Sequence, residues 1–75
     1  IGQGVPTIMS AANEVAVAAF LDRRIGFLDI AGCVEEVMQA LGAPPADTLE
    51  QVLMLDAAAR ETAAQVCRRH ARPAA

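Results

Sequence analysis

The segment from residue 10 to residue 21, SAANEVAVAAFL, strongly constrains what this chain can fold into. It predicts a helix that is apolar on almost every side. Only Ser10, Asn13 and Glu14 interrupt it, and their spacing of three and four residues places them on one patch of one face. A helix on a protein surface would carry many more charges. We therefore expect a helix at the centre of its domain, with one polar patch that faces a specific partner.

The chain is short, and its core must be built from small side chains. Its 75 residues allow one small domain. A core of that size supplies only roughly 3–5 kcal/mol. Hydrophobic residues make up 55% of the chain. Either the many alanines inflate that fraction, or part of the apolar surface is covered by something outside the chain. With two Phe and neither Trp nor Tyr, the core must be aliphatic and alanine-lined, which suits close helix packing.

Charge and targeting features argue against several classes of protein. The net charge is −3 and there is no lysine, which disfavours a nucleic-acid partner, including a helix-turn-helix DNA site. No uninterrupted apolar run reaches the length of about 18 residues that a membrane span requires. The first residues lack the basic start and cleavage site of a signal peptide. These features predict a cytoplasmic protein without a nucleic-acid or membrane partner.

The two cysteines, Cys33 and Cys67, lie far apart and fit no zinc-ligand spacing. We expect two reduced and largely buried thiols, as is usual in a cytosolic protein. A disulfide between them is the less favoured alternative.

The first predicted helix follows a short lead-in. Residues 1–5 are expected to be the end of an interdomain linker. Pro6 suits the first turn of a helix, where its missing N–H costs nothing. The helix should run to about Asp22 or Arg23, with Arg23 and Arg24 in its last turn, where they complement the helix dipole.

The second predicted helix runs from about Ile30 to Leu41, with Asp29 as its N-cap. Gly42 should end it, because the prolines that follow forbid continuation. Glu35 and Glu36 are expected to face solvent. Helical spacing relates its apolar positions, which are Ile30, Val34, Val37, Met38 and Leu41.

The last helical region begins with a capping box, in which Thr48 is the N-cap and Gln51 the N3 residue. Asp56 allows either one long helix or a break with a fourth helix beyond it. We expect the break, because Asp is a better cap than helix interior. Residues 6–72 should therefore form an all-α domain, a small bundle of three or four helices, and residues 73–75 a frayed tail.

No catalytic arrangement is visible in the sequence. Nucleophilic catalysis needs a nucleophile beside a base, and the only serine and histidine are Ser10 and His70. We expect His70 to be a surface residue that complements the helix dipole. No glycine-rich phosphate loop and no metal-ligand spacing occur. The basic residues near the end are expected to supply helix C-terminal charge, and they are Arg68, Arg69 and Arg72.

Ser10, Asn13 and Glu14 are the candidate site residues, as structural or docking contacts. The structural alternative is local hydrogen bonding, for instance to the backbone of the turn at residues 24–26 or to the start of a neighbouring helix. The functional alternative is that the patch docks another domain and helps to fix its geometry. We expect none of the three residues to be catalytic.

Three segments resemble one enzyme family. Asn13–Leu21 (NEVAVAAFL), Ile25–Ile30 (IGFLDI) and Val52–Arg60 (VLMLDAAAR) are similar, in order and spacing, to the C-terminal helical domain of 1-deoxy-D-xylulose 5-phosphate reductoisomerase. The resemblance covers nearly all of this chain but only a small part of that enzyme. Members usually carry Asn at the position of Ser10, which weakens any transfer of a role to that residue.

The resemblance implies a non-catalytic support domain. The family's enzyme converts 1-deoxy-D-xylulose 5-phosphate to 2-C-methyl-D-erythritol 4-phosphate, in the non-mevalonate route to isoprenoid precursors. It uses NADPH and Mg²⁺ or Mn²⁺, held by an N-terminal and a central domain that this chain does not contain. No catalytic, cofactor-binding or metal-binding residue of the family maps onto it. The implied partner is the catalytic domain, which the helical domain braces.

Two further expectations concern the isolated 75 residues. They should have no reductase activity, and their high apolar fraction predicts a homo-oligomer when the partner domains are absent. The main alternative function is a free-standing helical module for dimerisation or interaction. A carrier protein is disfavoured because Ser10, the only serine, follows Met9 rather than an aspartate.

Overall fold

The structure, a computed structural model, describes residues 4–71 and consists of three helices. They are α1 (Gly4–Leu21), α2 (Phe27–Leu41) and α3 (Leu49–His70). The predicted small all-α bundle is confirmed. Helix α1 begins two residues before the expected start at Pro6. The remainder of the expected linker, Arg72 and the expected tail lie outside the described residues.

Helix α1 is central to the bundle, as its all-round apolar pattern predicts. It packs against both other helices more extensively than they pack against each other. Small residues dominate this packing, so the helices approach closely and the core is aliphatic. The completely buried residues of α1 are Ile8, Ala11, Ala12, Ala16 and Ala19. They meet buried residues of the rest of the bundle, including Ile25, Cys33, Val37, Ala59, Ala63, Val66 and Cys67.

Helix α1 is also long and apolar enough to cross a membrane, judged by length and composition alone. The sequence expectation of no span rests on the absence of an uninterrupted apolar run of about 18 residues, a stricter test than mean hydropathy. Length and composition carry little weight here, because the core helix of a compact bundle passes the same test.

The end of α1 differs from the prediction. Arg23 and Arg24 lie in the turn after the helix rather than in its last turn. Arg23 adopts a left-handed conformation with φ of 60°. The Arg23 N–H donates to the Phe20 carbonyl and the Arg24 N–H to the Ala19 carbonyl, each at 2.9 Å. This pair of bonds is a Schellman motif, which ends the helix by satisfying its last carbonyls.

Helix α2 begins earlier than predicted. Its N-cap is Gly26, and Asp29 is the third helical residue rather than the cap. The Asp29 carboxylate accepts the backbone N–H of Gly26 at 2.7 Å, so it caps the helix from inside the first turn. Gly42 ends the helix, as predicted, with φ of 71° and its N–H bonded to the Met38 carbonyl.

Helix α3 has the predicted start and no break. The Thr48 hydroxyl accepts the Gln51 N–H at 3.1 Å, and the Gln51 side chain accepts the Thr48 N–H at 3.3 Å. The expected break at Asp56 is wrong, since one helix runs from Leu49 to His70. The Asp56 carboxylate accepts from Arg60 Nε at 2.8 Å, one helical turn later, so it does not compete for backbone N–H groups.

The connection between α2 and α3 passes directly over the start of α1. A Cβ atom at Gly4 would lie 1.9 Å from the Pro44 carbonyl oxygen, a distance that no side chain can occupy. Ala46 of the same connection is buried. The close approach therefore requires glycine at position 4 and holds the connection against the bundle.

Candidate docking surface

The structure divides the polar patch of α1 between two sides of the helix. Ser10, Asn13 and Glu14 are all exposed. Glu14 contacts α3, where Arg60 Nη2 lies 3.2 Å from its Oε1. Ser10 and Asn13 instead line a groove between α1 and α2. The three residues therefore do not act as one patch.

The Glu14 side belongs to an exposed ion-pair chain. Arg60 bonds Asp56 of its own helix as well as Glu14 of α1. The hydrogen bonds that Arg60 donates to Asp56 and then to Glu14 raise the pKa of Arg60 above its ordinary value, so the guanidinium stays charged. All three side chains keep substantial solvent exposure. The chain of contacts therefore gives the α1–α3 seam a polar edge with little free energy of its own.

The other side of α1 opens into an apolar groove. This α1–α2 groove has a volume of about 1020 Å³ and is lined by side chains of both helices. The exposed fractions of its apolar residues Met9, Phe27 and Leu28 are 46%, 69% and 87%. The Phe27 ring also meets Phe20 edge-to-face, with centroids 5.7 Å apart. The remaining lining residues are Pro6, Ser10, Asn13, Ile30, Ala31, Val34, Glu35, Met38 and Gln39.

The rim of the groove is polar and slightly acidic. Among the described lining residues Glu35 is the one that is charged, and Gln39 Nε2 lies 3.4 Å from its carboxylate. Within residues 4–71 the structure shows no hydrogen bond from the Ser10 or Asn13 side chain, neither to the turn at residues 24–26 nor to a helix start. Of the three residues, Glu14 has a side-chain partner within residues 4–71, the Arg60 guanidinium of α3.

A second exposed apolar surface lies on the first half of α3. It consists of Leu49, Leu53 and Met54, with exposed fractions of 74%, 60% and 68%. This α3 surface is formed by one helix and has no walls. It differs in that respect from the groove, which two helices enclose from the sides.

The histidine lies at the contact between α2 and α3. His70 Nε2 lies 2.6 Å from a Glu36 carboxylate oxygen, and its Nδ1 lies 3.7 Å from Asp29. Arg69 lies 3.7 Å from the same Glu36. Glu36 thus faces α3, and the expectation that it points to solvent is wrong. The last turn of α3 contains Arg68, Arg69 and His70. Basic side chains at the C-terminal end of a helix complement its dipole, which is the role expected of them.

The thiols are free and buried, as expected. Cys33 and Cys67 meet between α2 and α3, each with about 1% of its surface exposed. Burial, followed by the proximity of Cys67, raises the pKa of Cys33 to about 12. The Cys33 thiol is therefore uncharged near neutral pH and is a poor nucleophile.

The described residues do not form a set that fits a metal ion. Among residues 4–71, His, Cys, Asp and Glu side chains do not converge in groups of three or more that could hold a metal. The acidic side chains around His70 are engaged in hydrogen bonds and ion pairs. The surface that the structure does offer is apolar and suits another protein segment.

The sequence reasoning identified two residues of the groove rim, Ser10 and Asn13, but missed the groove itself. The missing signal is the adjacent pair Phe27 and Leu28, directly after a helix-breaking glycine. Once the helix start moves from Ile30 back to Phe27, these side chains join the first turn of α2 and face α1 across the groove.

The chain is similar to one family throughout most of its length. Residues 1–62 match the model of the DXP reductoisomerase C-terminal domain. The 1-deoxy-D-xylulose 5-phosphate reductoisomerase of Chlorobaculum tepidum is 57% identical over 65 residues, which are 87% of this chain and 17% of that enzyme. The enzyme of the same name from Caulobacter vibrioides is 54% identical over 72 residues, 88% of this chain and 18% of that enzyme. The chain thus spans less than a fifth of the length of these curated relatives.

Proposed function

The chain belongs to the DXP reductoisomerase C-terminal domain family, and we propose that it is the non-catalytic support domain of such an enzyme. In this proposal the bundle packs on the catalytic domain and restrains it. The reaction is the NADPH-dependent conversion of 1-deoxy-D-xylulose 5-phosphate to 2-C-methyl-D-erythritol 4-phosphate, with Mg²⁺ or Mn²⁺, in the cytoplasm. NADPH and the metal belong to domains other than this one.

The observation that carries the proposal is the combination of a family match with an absent site. The match covers most of the chain, whereas residues 4–71 bring together no group of side chains that could hold a metal ion. A domain of this kind contributes by holding reacting groups in position from a distance. A free-standing interaction module is not favoured, because the matching curated relatives are enzymes of which the chain covers only 16–18%.

A domain exchange tests the proposal. The matched segment of the C. tepidum enzyme is replaced by this chain, and NADPH oxidation is measured with 1-deoxy-D-xylulose 5-phosphate and Mn²⁺. The wild-type enzyme and a version lacking the segment are the controls. We expect the exchanged enzyme to keep activity, the truncated enzyme to lose it, and the isolated 75 residues to have none. An exchanged enzyme as inactive as the truncated one would overturn the proposal.

A further inference from the structure

The α1–α2 groove exposes several large apolar side chains to solvent, which is unusual for a bundle of this size. Phe27 and Leu28 stand next to each other on the first turn of α2, where Phe27 packs on Phe20. Met9 lines the same groove from the first half of α1. Contiguous exposed apolar surface of this kind marks an interaction site in soluble proteins. A groove lined mainly by apolar side chains of two helices fits a protein segment better than a small polar ligand.

The polar groups of the groove specify the chemistry of what fills it. Asn13 offers an amide with two donors and one acceptor, and Ser10 a hydroxyl, and neither is bonded within residues 4–71. Glu35 gives the rim a negative charge, and no basic residue is found among the lining residues that the structure describes. An occupant with an apolar ridge and a hydrogen-bond donor or a basic side chain at its edge is complementary to this lining.

The α3 surface is the competing site, and its shape is less suitable. Leu49, Leu53 and Met54 are as exposed as the groove residues but project from one convex helix. A partner would bury them only along one line of contact. The groove is lined by two helices, so an inserted side chain would contact both of them.

We infer that the α1–α2 groove is the surface through which this domain docks on the catalytic domain of the reductoisomerase. The occupant is an apolar segment of that domain, with a donor or a basic side chain near Asn13 and Glu35. This inference rests on the proposed function. The length of the relatives argues for this occupant, because most of each matched enzyme lies outside the segment that this chain covers. A partner in the same polypeptide is present at a high effective concentration.

The test uses the exchanged C. tepidum enzyme with single charge substitutions. Leu28→Asp places a carboxylate in the groove, and Leu53→Asp is the matched control on α3. Both residues are leucines exposed by more than half in the isolated chain, so neither change should alter its melting temperature. In the exchanged enzyme we expect Leu28→Asp to reduce activity by about tenfold or more, since a buried unpaired carboxylate opposes docking. Leu53→Asp should leave it unchanged.

Each other outcome has a distinct meaning. If Leu28→Asp matches the unsubstituted exchanged enzyme, the groove inference fails and the support function stands. If Leu53→Asp alone reduces activity, docking uses α3 and the inference is overturned. If sedimentation shows a dimer of the isolated chain that Leu28→Asp dissociates, while the exchanged enzyme is unaffected, the occupant is a second copy. An inactive exchanged enzyme before any substitution would show that the proposed function itself is wrong.

Discussion

The two sides of α1 differ in how far their apolar and polar side chains are covered by the rest of the bundle. Toward α3 and the core, small side chains are fully buried and the polar edge is bonded through Glu14 and Arg60. Toward the groove, Met9 is half exposed, and the Asn13 side chain makes no hydrogen bond within the described residues. One side is therefore closed by the chain itself, whereas the other leaves apolar surface and polar side chains exposed. The difference teaches that a polar interruption on a core helix can be paired internally on one side and left open on the other.

Neighbouring residues on α1 give the sharpest contrast between the two sides. Ile8 is completely buried, and Met9 lines the groove. We expect Ile8→Ala to lower the free energy of unfolding of the isolated chain by about 2–5 kcal/mol, through lost burial and a cavity. Met9→Ala should change it by less than about 1 kcal/mol, as is usual for surface substitutions. Urea denaturation followed by circular dichroism measures both, and equal losses would break the comparison.

The glycines offer a second pair with opposite expected signs. Gly4→Ala should destabilise the chain by about 1–3 kcal/mol, the usual range for overpacking, because the Pro44 carbonyl must move. Gly32 lies inside α2 with open space around its Cα, so Gly32→Ala should stabilise by roughly 0.5–1 kcal/mol through helix propensity. Thermal melting of both variants tests the prediction. A stabilising Gly4→Ala would show that the connection between α2 and α3 is not held against α1.

The packing between α2 and α3, where Cys33 is buried, should weaken at alkaline pH. Burial raises the pKa of Cys33 from 9.0 to about 12, so the folded state holds this proton more tightly than the unfolded state. Its contribution to stability is complete below about pH 9 and is lost as pH rises from there toward 12. The loss approaches roughly 1.4 kcal/mol per pH unit. Denaturation at stepped pH should show this slope in the wild type and a reduced slope in Cys33→Ala; parallel slopes would contradict it.

The polar edge of the closed side should matter least. Arg60→Ala removes the contacts to Glu14 and Asp56, all of them exposed. We expect a smaller loss of stability than for Gly4→Ala, and one that nearly disappears at about 1 M salt, where the screening length falls to roughly 3 Å. Melting of the variant and the wild type at low and high salt measures it. A loss that persists in salt would mean that Arg60 packs rather than pairs.

Local signals in the sequence were sufficient for most of the fold. Periodicity and capping chemistry predicted three helical regions, the central position of α1, the capping box at Thr48 and the stop at Gly42. The errors lie where a side chain could act in two ways. Asp29 and Asp56 were both interpreted as N-caps, but one closes the first turn of α2 from position N3 and the other bonds Arg60. The bonding partner determined the role of each aspartate: the Gly26 N–H for Asp29 and the Arg60 side chain for Asp56.

The candidate site was only partly predictable from the sequence. Spacing placed Ser10, Asn13 and Glu14 on one face, but a face of a helix can lie between two neighbours. Which neighbour each residue meets depends on how α2 and α3 pack around α1, and no local pattern specifies that. For the same reason Glu36 was expected in solvent and is found beside His70. The docking role of the three patch residues stays a prediction.

Solvent protection of the groove in the assembled enzyme tests the central claim most directly. Leu28→Cys and Leu53→Cys are introduced separately, and alkylation by a maleimide is followed by peptide mass in the isolated chain and in the exchanged C. tepidum enzyme. Both thiols should react at similar rates in the isolated chain. In the enzyme the rate at position 28 should fall by about tenfold or more, because only the undocked minority reacts, with no change at position 53. An unchanged rate at position 28 would contradict the account.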